Sequence, residues 1–135
     1  MGIAVSPQIH PKVAEFLEKP RKMLINGQWV SSISGKTFPT YNPSTGEVLA
    51  QVAEGDREDI EQAVKAARKA FEEGKWSKIG PHQRARYLLK IADLIERNAD
   101  ELATLETLNN GMAISLARNM VAATANVFRY YAGRP

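Results

Sequence analysis

The sequence predicts an α/β protein in which β-hairpins come first and three or four α-helices follow. Three observations predict it. Asn26-Gly27 separates two short apolar runs, and Asn-Gly there is the strongest short hairpin signal, because both central turn residues need positive φ. From Asp56 onward the apolar residues recur at helical instead of strand-like spacing. Gly74, Pro81, Gly111 and Gly133 then cut that helical stretch into pieces of ordinary helix length.

The elements follow in order. Pro11 suits the start of a short amphipathic helix, with Val13, Phe16 and Leu17 on one side, and Pro20 ends it. Residues 1–22 therefore read as an arm that docks on something. Met23-Leu24-Ile25 and Gln28-Trp29-Val30 are the first hairpin. Ser34-Gly35-Lys36 turns into Thr37–Tyr41, and Pro39, which cannot donate to a ladder, makes that strand an edge or a bulged one. Asn42-Pro43-Ser44-Thr45-Gly46 is turn chemistry, and Val48–Val52 is the last strand.

Asp56 is a good N-cap, with Glu58 and Asp59 in the first turn where the helix dipole favours negative charge. Ile60, Ala63, Val64, Ala67, Ala70 and Phe71 form one stripe of the first long helix. Pro81 opens the second, whose stripe is Ala85, Leu88, Leu89, Ala92 and Ile95. Asn98, with Glu101 three residues later, is expected to cap the third, which bears Leu102, Leu105 and Leu108. The fourth carries Leu116, Met120, Ala123, Val127 and Tyr130. No repeat, low-complexity tract or linker divides the chain, so it reads as one unit.

Composition narrows the function. The 135 residues are 44% hydrophobic and 24% charged, which fits a folded protein and excludes a disordered polyampholyte. No apolar run reaches spanning length. The amino terminus lacks a basic start followed by an apolar stretch, so no signal peptide is expected. Gly2 with Ser6 matches a myristoylation pattern, but no polybasic segment follows. The net charge of +3 is spread along the chain; Arg84, Arg86 and Lys90 are the nearest thing to a basic patch, so no nucleic-acid partner is expected.

There is no cysteine and there are two histidines, His10 and His82. Disulfides, thiolate metal sites and a cysteine nucleophile are excluded within these residues. The nine glycines are too far apart for a Gly-x-Gly-x-x-Gly turn or a P-loop. Acidic pairs such as Glu58 with Asp59 and Glu72 with Glu73 sit on charged helix faces, where nothing shifts a pKa for acid–base work. The residues alone support hairpins, then helices, and no visible active site.

Longer strings add to this. Leu24-Ile25-Asn26-Gly27-Gln28-Trp29-Val30 and Ser34-Gly35-Lys36-Thr37-Phe38-Pro39 resemble the opening of the NAD(P)-dependent aldehyde dehydrogenases. So do Asn42-Pro43-Ser44-Thr45-Gly46-Glu47-Val48, Val52-Ala53-Glu54-Gly55-Asp56 and Ala63-Val64-Lys65-Ala66-Ala67-Arg68. Ala92-Asp93-Leu94-Ile95-Glu96, Leu105-Glu106-Thr107-Leu108, Asn110-Gly111 and Arg129-Tyr130-Tyr131-Ala132-Gly133 continue the pattern in the family's order. The arm and Asn109-Asn110-Gly111-Met112 look most like the phenylacetaldehyde branch.

The resemblance implies that residues 23–135 are the incomplete N-terminal portion of a Rossmann-like cofactor-binding domain. It implies an enzyme several times longer, cytoplasmic and homo-oligomeric, oxidising an aldehyde to its acid with NAD or NADP, and the likeness to the phenylacetaldehyde branch implies an arylacetaldehyde as that substrate. The cysteine nucleophile and the cofactor-binding turn of the family lie beyond this segment, so the 135 residues are expected to hold no catalytic or cofactor-binding residue and to be inactive alone. The helix stripes are expected to lack the sheet that covers them. Two carry-overs remain: a monovalent-cation site at Thr40, Tyr41 and Asn109, where an amide replaces the family's carboxylate, and a substrate tunnel lined by Asn119 and Ala123. The alternative is a non-catalytic interaction module or remnant that associates with a full-length dehydrogenase.

Overall fold

The computed structural model describes residues 9–134. The Gly2/Ser6 pattern and most of the arm before Pro11 lie outside them. Two antiparallel hairpins and five helices are present. α1 spans Pro11–Glu18, β1 Met23–Ile25, β2 Gln28–Val30, β3 Thr37–Tyr41 and β4 Val48–Ala53. α2 spans Arg57–Glu73, α3 Pro81–Arg97, α4 Ala99–Asn110 and α5 Ile114–Ala132. Four helices therefore follow the hairpins, as expected, and the arm contributes a fifth.

β1 pairs with β2 around Asn26 (φ 52°) and Gly27 (φ 75°), both in the left-handed region that the turn demands. β3 pairs with β4 as an edge strand; the register slips between Thr40 and Tyr41, where Thr40 faces Ala50 and Tyr41 faces Val48, so the extra residue, Leu49, and the bulge belong to β4 and not to the strand that carries Pro39. β4 runs to Ala53, one residue beyond the expected end. The reason is a third backbone partner: the Arg21 N–H donates to the Gln51 carbonyl (2.7 Å) and the Ala53 N–H to the Arg21 carbonyl (2.8 Å).

α2 begins with a full capping box. The Asp56 side chain accepts from the Glu58 N–H, and the Asp59 side chain accepts from the Asp56 N–H. Asp59 is only 2% exposed and also accepts from the Ile33 N–H at 3.1 Å, which ties the loop after β2 to the helix start. The remainder of α2 is open: Ile60, Val64 and Phe71 are exposed. None of the described residues covers that stripe.

α3, α4 and α5 pack on one another. Their seam is made largely of small residues: Ala92, Ala103, Ala117 and Ala125 are fully buried, with Leu108 beside them. Small side chains let the helix axes approach closely. One expectation is corrected here. Asn98 makes no side-chain cap for α4; it also ends α3, and both its backbone N–H and its Nδ2 donate back to the Leu94 carbonyl, which turns the amide away from the start of α4. On α5 the side that is buried differs from the apolar stripe read from the sequence. Leu116, Met120, Val127 and Tyr130 are exposed, while Ala117 and Ala125 are buried, with Val121 and Phe128 half-buried. α5 has two apolar sides, and the alanine side fits the tight seam. A 3₁₀ turn over Trp76–Lys78, which the glycine and proline pattern does not reveal, joins α2 to α3.

Candidate functional site

The first candidate lies where the β3–β4 turn meets the end of α4. Asn42 organises the turn: its Oδ1 accepts from the Ser44 N–H (2.9 Å) and its carbonyl from the Gly46 N–H (2.8 Å). α4 ends at Gly111, φ 80°, a left-handed position that also lies against Pro43; a Cβ there would meet Pro43 Cγ at 3.1 Å. This contact sets the strand end beside the helix end. The Thr40 hydroxyl donates to Asn109 Oδ1 at 3.2 Å. Thr40 and Asn109 are thus brought together, while the Tyr41 side chain is exposed.

Beside them is a cleft of about 300 Å³ whose lining includes Leu17, Thr40, Leu49, Leu105, Glu106 and Asn109. Glu106 is the carboxylate that the sequence argument did not single out as a site residue. It precedes Asn109 by three residues, so the helical repeat itself places the two on neighbouring positions of one face. Its Oε1 accepts from Asn110 Nδ2, which turns the carboxylate toward the helix end. The donor set of Thr40, Tyr41 and Asn109 is oxygen-only and neutral. That chemistry suits a weakly held monovalent ion and not a divalent one, which needs several charged oxygens. Among the described residues, no three His, Cys, Asp or Glu side chains are grouped to hold a metal.

The second candidate is on α5. Asn119 and Ala123 are one turn apart and both exposed, on the side turned away from the alanine seam. A cleft of about 290 Å³ between α3, α4 and α5 is lined by Ile95, Leu102, Ala117, Met120, Val121 and Thr124, among others, and by neither of them. α5 is held in place by charge as well as packing. Arg129 donates to Glu96 (2.6 Å) and Asp93 (3.1 Å) on α3, and Arg118 to Asp100 (3.0 Å) on α4. The hydrogen bond from Arg129 holds the Glu96 carboxyl below its usual range, partly offset by desolvation.

The basic trio on α3 does not form one patch. Arg84 turns back to donate to the Ile79 carbonyl (3.0 Å), leaving Arg86 and Lys90 exposed beside Tyr87. No helix of the described residues is long and apolar enough to cross a membrane.

Comparison with known proteins agrees with the strings. The sequence profile described as "Aldehyde dehydrogenase family" matches residues 29–135. The chain is 55% identical over 113 residues to aldehyde dehydrogenase family 2 member B4, mitochondrial, of Arabidopsis thaliana, covering 83% of this chain and 21% of that one. It is 47% identical over 118 residues to phenylacetaldehyde dehydrogenase of Pseudomonas fluorescens, covering 87% and 24%. The fold superposes on the NAD+ complex of aldehyde dehydrogenase from Bacillus cereus with a TM-score of 0.89 and 51% identity, over 93% of this chain and 26% of that one. The chain spans about a quarter of the length of these relatives.

Proposed function

The chain belongs to the aldehyde dehydrogenase family, and on that premise we propose that it is the N-terminal segment of an enzyme that oxidises an aldehyde to its carboxylic acid with NAD or NADP. The observation that carries this reading is the superposition on one quarter of the Bacillus cereus enzyme at 51% identity. In this reading the segment is a scaffold. It holds no cysteine, and its positive-φ glycines stand singly in turns and at one helix end. These residues do not fit a cradle for the cofactor's phosphates. Nucleophile and cofactor are therefore assigned to the part of the fold beyond it, and the segment alone turns over no aldehyde.

Residues 1–22 act as an arm, and the rest as the opening portion of the cofactor-binding domain. An arylacetaldehyde is the proposed substrate class, supported by the Pseudomonas relative. Asn119 and Ala123 would line its path from the open side of α5. Thr40, Tyr41 and Asn109 would hold a monovalent cation through neutral oxygens. The complete enzyme would be a cytoplasmic homo-oligomer without nucleic-acid or membrane partners; the mitochondrial name of the Arabidopsis relative marks the alternative compartment, which fractionation separates.

A chimera tests the reading. The 135 residues replace the matching quarter of the Bacillus cereus enzyme, and nicotinamide reduction is followed with phenylacetaldehyde and acetaldehyde. Turnover is expected, and Ala123→Phe is expected to lower kcat/KM for phenylacetaldehyde more than for acetaldehyde. A soluble chimera that reduces no nicotinamide would overturn the family role of this segment. A second reading, a non-catalytic module that associates with a full-length dehydrogenase, is favoured by the exposed stripes of α2 and α5. It predicts a stable complex with an intact relative.

A further inference from the structure

We propose that the Asn26-Gly27 turn is a site of self-modification, at which Asn26 converts to aspartate and isoaspartate with loss of ammonia, while the fold keeps the other Asn-Gly pair, Asn110-Gly111, intact. Asparagine is a thermolabile side chain. A glycine after it has no Cβ, so its nitrogen can approach the side-chain amide closely. In the first step the Gly27 nitrogen attacks Asn26 Cγ. A bond from that nitrogen to Cγ forms, the Cγ–Nδ2 bond breaks, and Nδ2 leaves as ammonia with the Gly27 N–H proton. Water then opens the resulting succinimide ring. Attack at Cγ returns an aspartate in the ordinary backbone; attack at the main-chain carbonyl leaves the backbone running through the side chain, as isoaspartate.

What separates the two pairs is how each is held. Asn26 and Gly27 are the exposed turn of a sheet that has two strands of three residues each. A two-stranded hairpin of this kind is marginally stable in water. The side-chain hydrogen bonds of the asparagines fall on Asn42, Asn98, Asn109 and Asn110, and Asn26 makes none among the described residues. No main-chain carbonyl among them accepts from the Gly27 N–H, and the space where a Cβ would stand on Gly27 is open. Ring closure swings the Gly27 nitrogen onto Cγ, which a fixed turn resists. The rate therefore follows how often the hairpin opens, and short exposed elements open most readily.

Asn110 is held on both sides of the bond that would form. Its Oδ1 accepts from the Met112 N–H (2.8 Å) and its Nδ2 donates to Glu106 Oε1. The Gly111 N–H donates to the Thr107 carbonyl (3.0 Å), and Gly111 lies against Pro43. Attack there would release all of these contacts together and undo the end of α4. The two products at Asn26 also differ in consequence. Asp-Gly suits the same turn as Asn-Gly. Isoaspartate adds a carbon to the backbone of the turn, which cannot then keep Ile25 opposite Gln28.

The test follows both pairs by mass spectrometry in the 135-residue chain kept at mildly alkaline pH. Cleavage after lysine and arginine releases residues 23–36 and 98–118 as separate peptides. The expected result is that the first peptide gains the mass of deamidation at least tenfold faster than Asn110 in the second, and that the two rates converge in denaturant. In oxygen-labelled water the product at position 26 takes up label. Glu106→Ala, which frees Asn110 Nδ2, raises the rate at Asn110 and leaves that at Asn26 unchanged. Amide exchange in β1 and β2 quickens in the isolated isoaspartate form and holds in Asn26→Asp. An Asn26 that stays intact in the folded chain while the denatured chain deamidates would overturn the site. Equal rates at Asn26 and Asn110 in the folded chain would overturn the role of the fold in choosing between them.

Discussion

The bundle of α3, α4 and α5 and the long helix α2 use similar side chains, yet one region is closed and the other open. α2 carries alanines at 63, 66, 67 and 70 and large apolar residues at 60, 64 and 71. α5 carries alanines at 117, 122, 123, 125 and 132 and large apolar residues at 116, 120, 127 and 130. What differs is whether alanines from other helices face them. α5 packs on both α3 and α4, and Ala92, Ala103, Ala117 and Ala125 are all fully buried, so the axes come together over small residues. α2 meets little beyond β1 and the loop that Asp59 holds. An apolar stripe states that a helix has something to bury; it does not state what will bury it.

The largest expected effect lies in the seam. Ala125→Leu should destabilise the chain by about 1–3 kcal/mol, because extra volume in a closed core forces helices apart. Ala67→Leu on α2 has room and should change stability by less than about 0.5 kcal/mol. Denaturant midpoints of the two variants measure the contrast directly. Equal losses would mean that α2 is as closed as the bundle.

Next comes Asp59, the residue that gives α2 its one firm attachment. Asp59→Ala removes the acceptor for the Ile33 and Asp56 N–H groups together, a loss of about 1–2 kcal/mol by analogy with other helix caps. Amide exchange at Ile33 and Asp56 should quicken while exchange in α5 holds. Quickened exchange in α5 as well would tie the two regions into one cooperative unit. A smaller loss, about 1 kcal/mol, is expected of Gly27→Val, since a β-branched residue resists φ 75°.

These contrasts explain what was legible beforehand. Local chemistry was: Asn26-Gly27, the Asp56 cap, the edge position of β3 with its Pro39 and the αL end of α4 at Gly111 all follow from neighbours in sequence. The buried side of α5 was not. Leu116, Met120, Val127 and Tyr130 form the more apolar stripe, but the choice between two stripes depends on Ala92 and Ala103, which come from other helices. Asn98 misleads for a similar reason, because one residue ends α3 and begins α4 and its amide serves the earlier helix. At the candidate corner, the turn and the glycine cap could be read separately. That Pro43 meets Gly111 and sets Thr40 beside Asn109 is a long-range contact that no local pattern encodes.

The smallest effect concerns the charge clasp that seals the bundle. Arg129 holds the Glu96 carboxyl below its usual range, so folding favours the ionised form. A carboxyl whose pKa falls on folding contributes stability that is present above its unfolded pKa and is lost as pH drops through the lowered folded value. The thermal midpoint should therefore fall as pH moves down through the ordinary carboxylate range and below it. Glu96→Gln should flatten part of that slope and leave the midpoint at neutral pH only slightly lower. The pair is solvent-accessible, so added salt should weaken it further and shrink the difference between the two proteins. A Glu96→Gln slope identical to that of the parent would place the acid sensitivity in another carboxylate. The bundle would then be held by its alanine seam without help from the clasp.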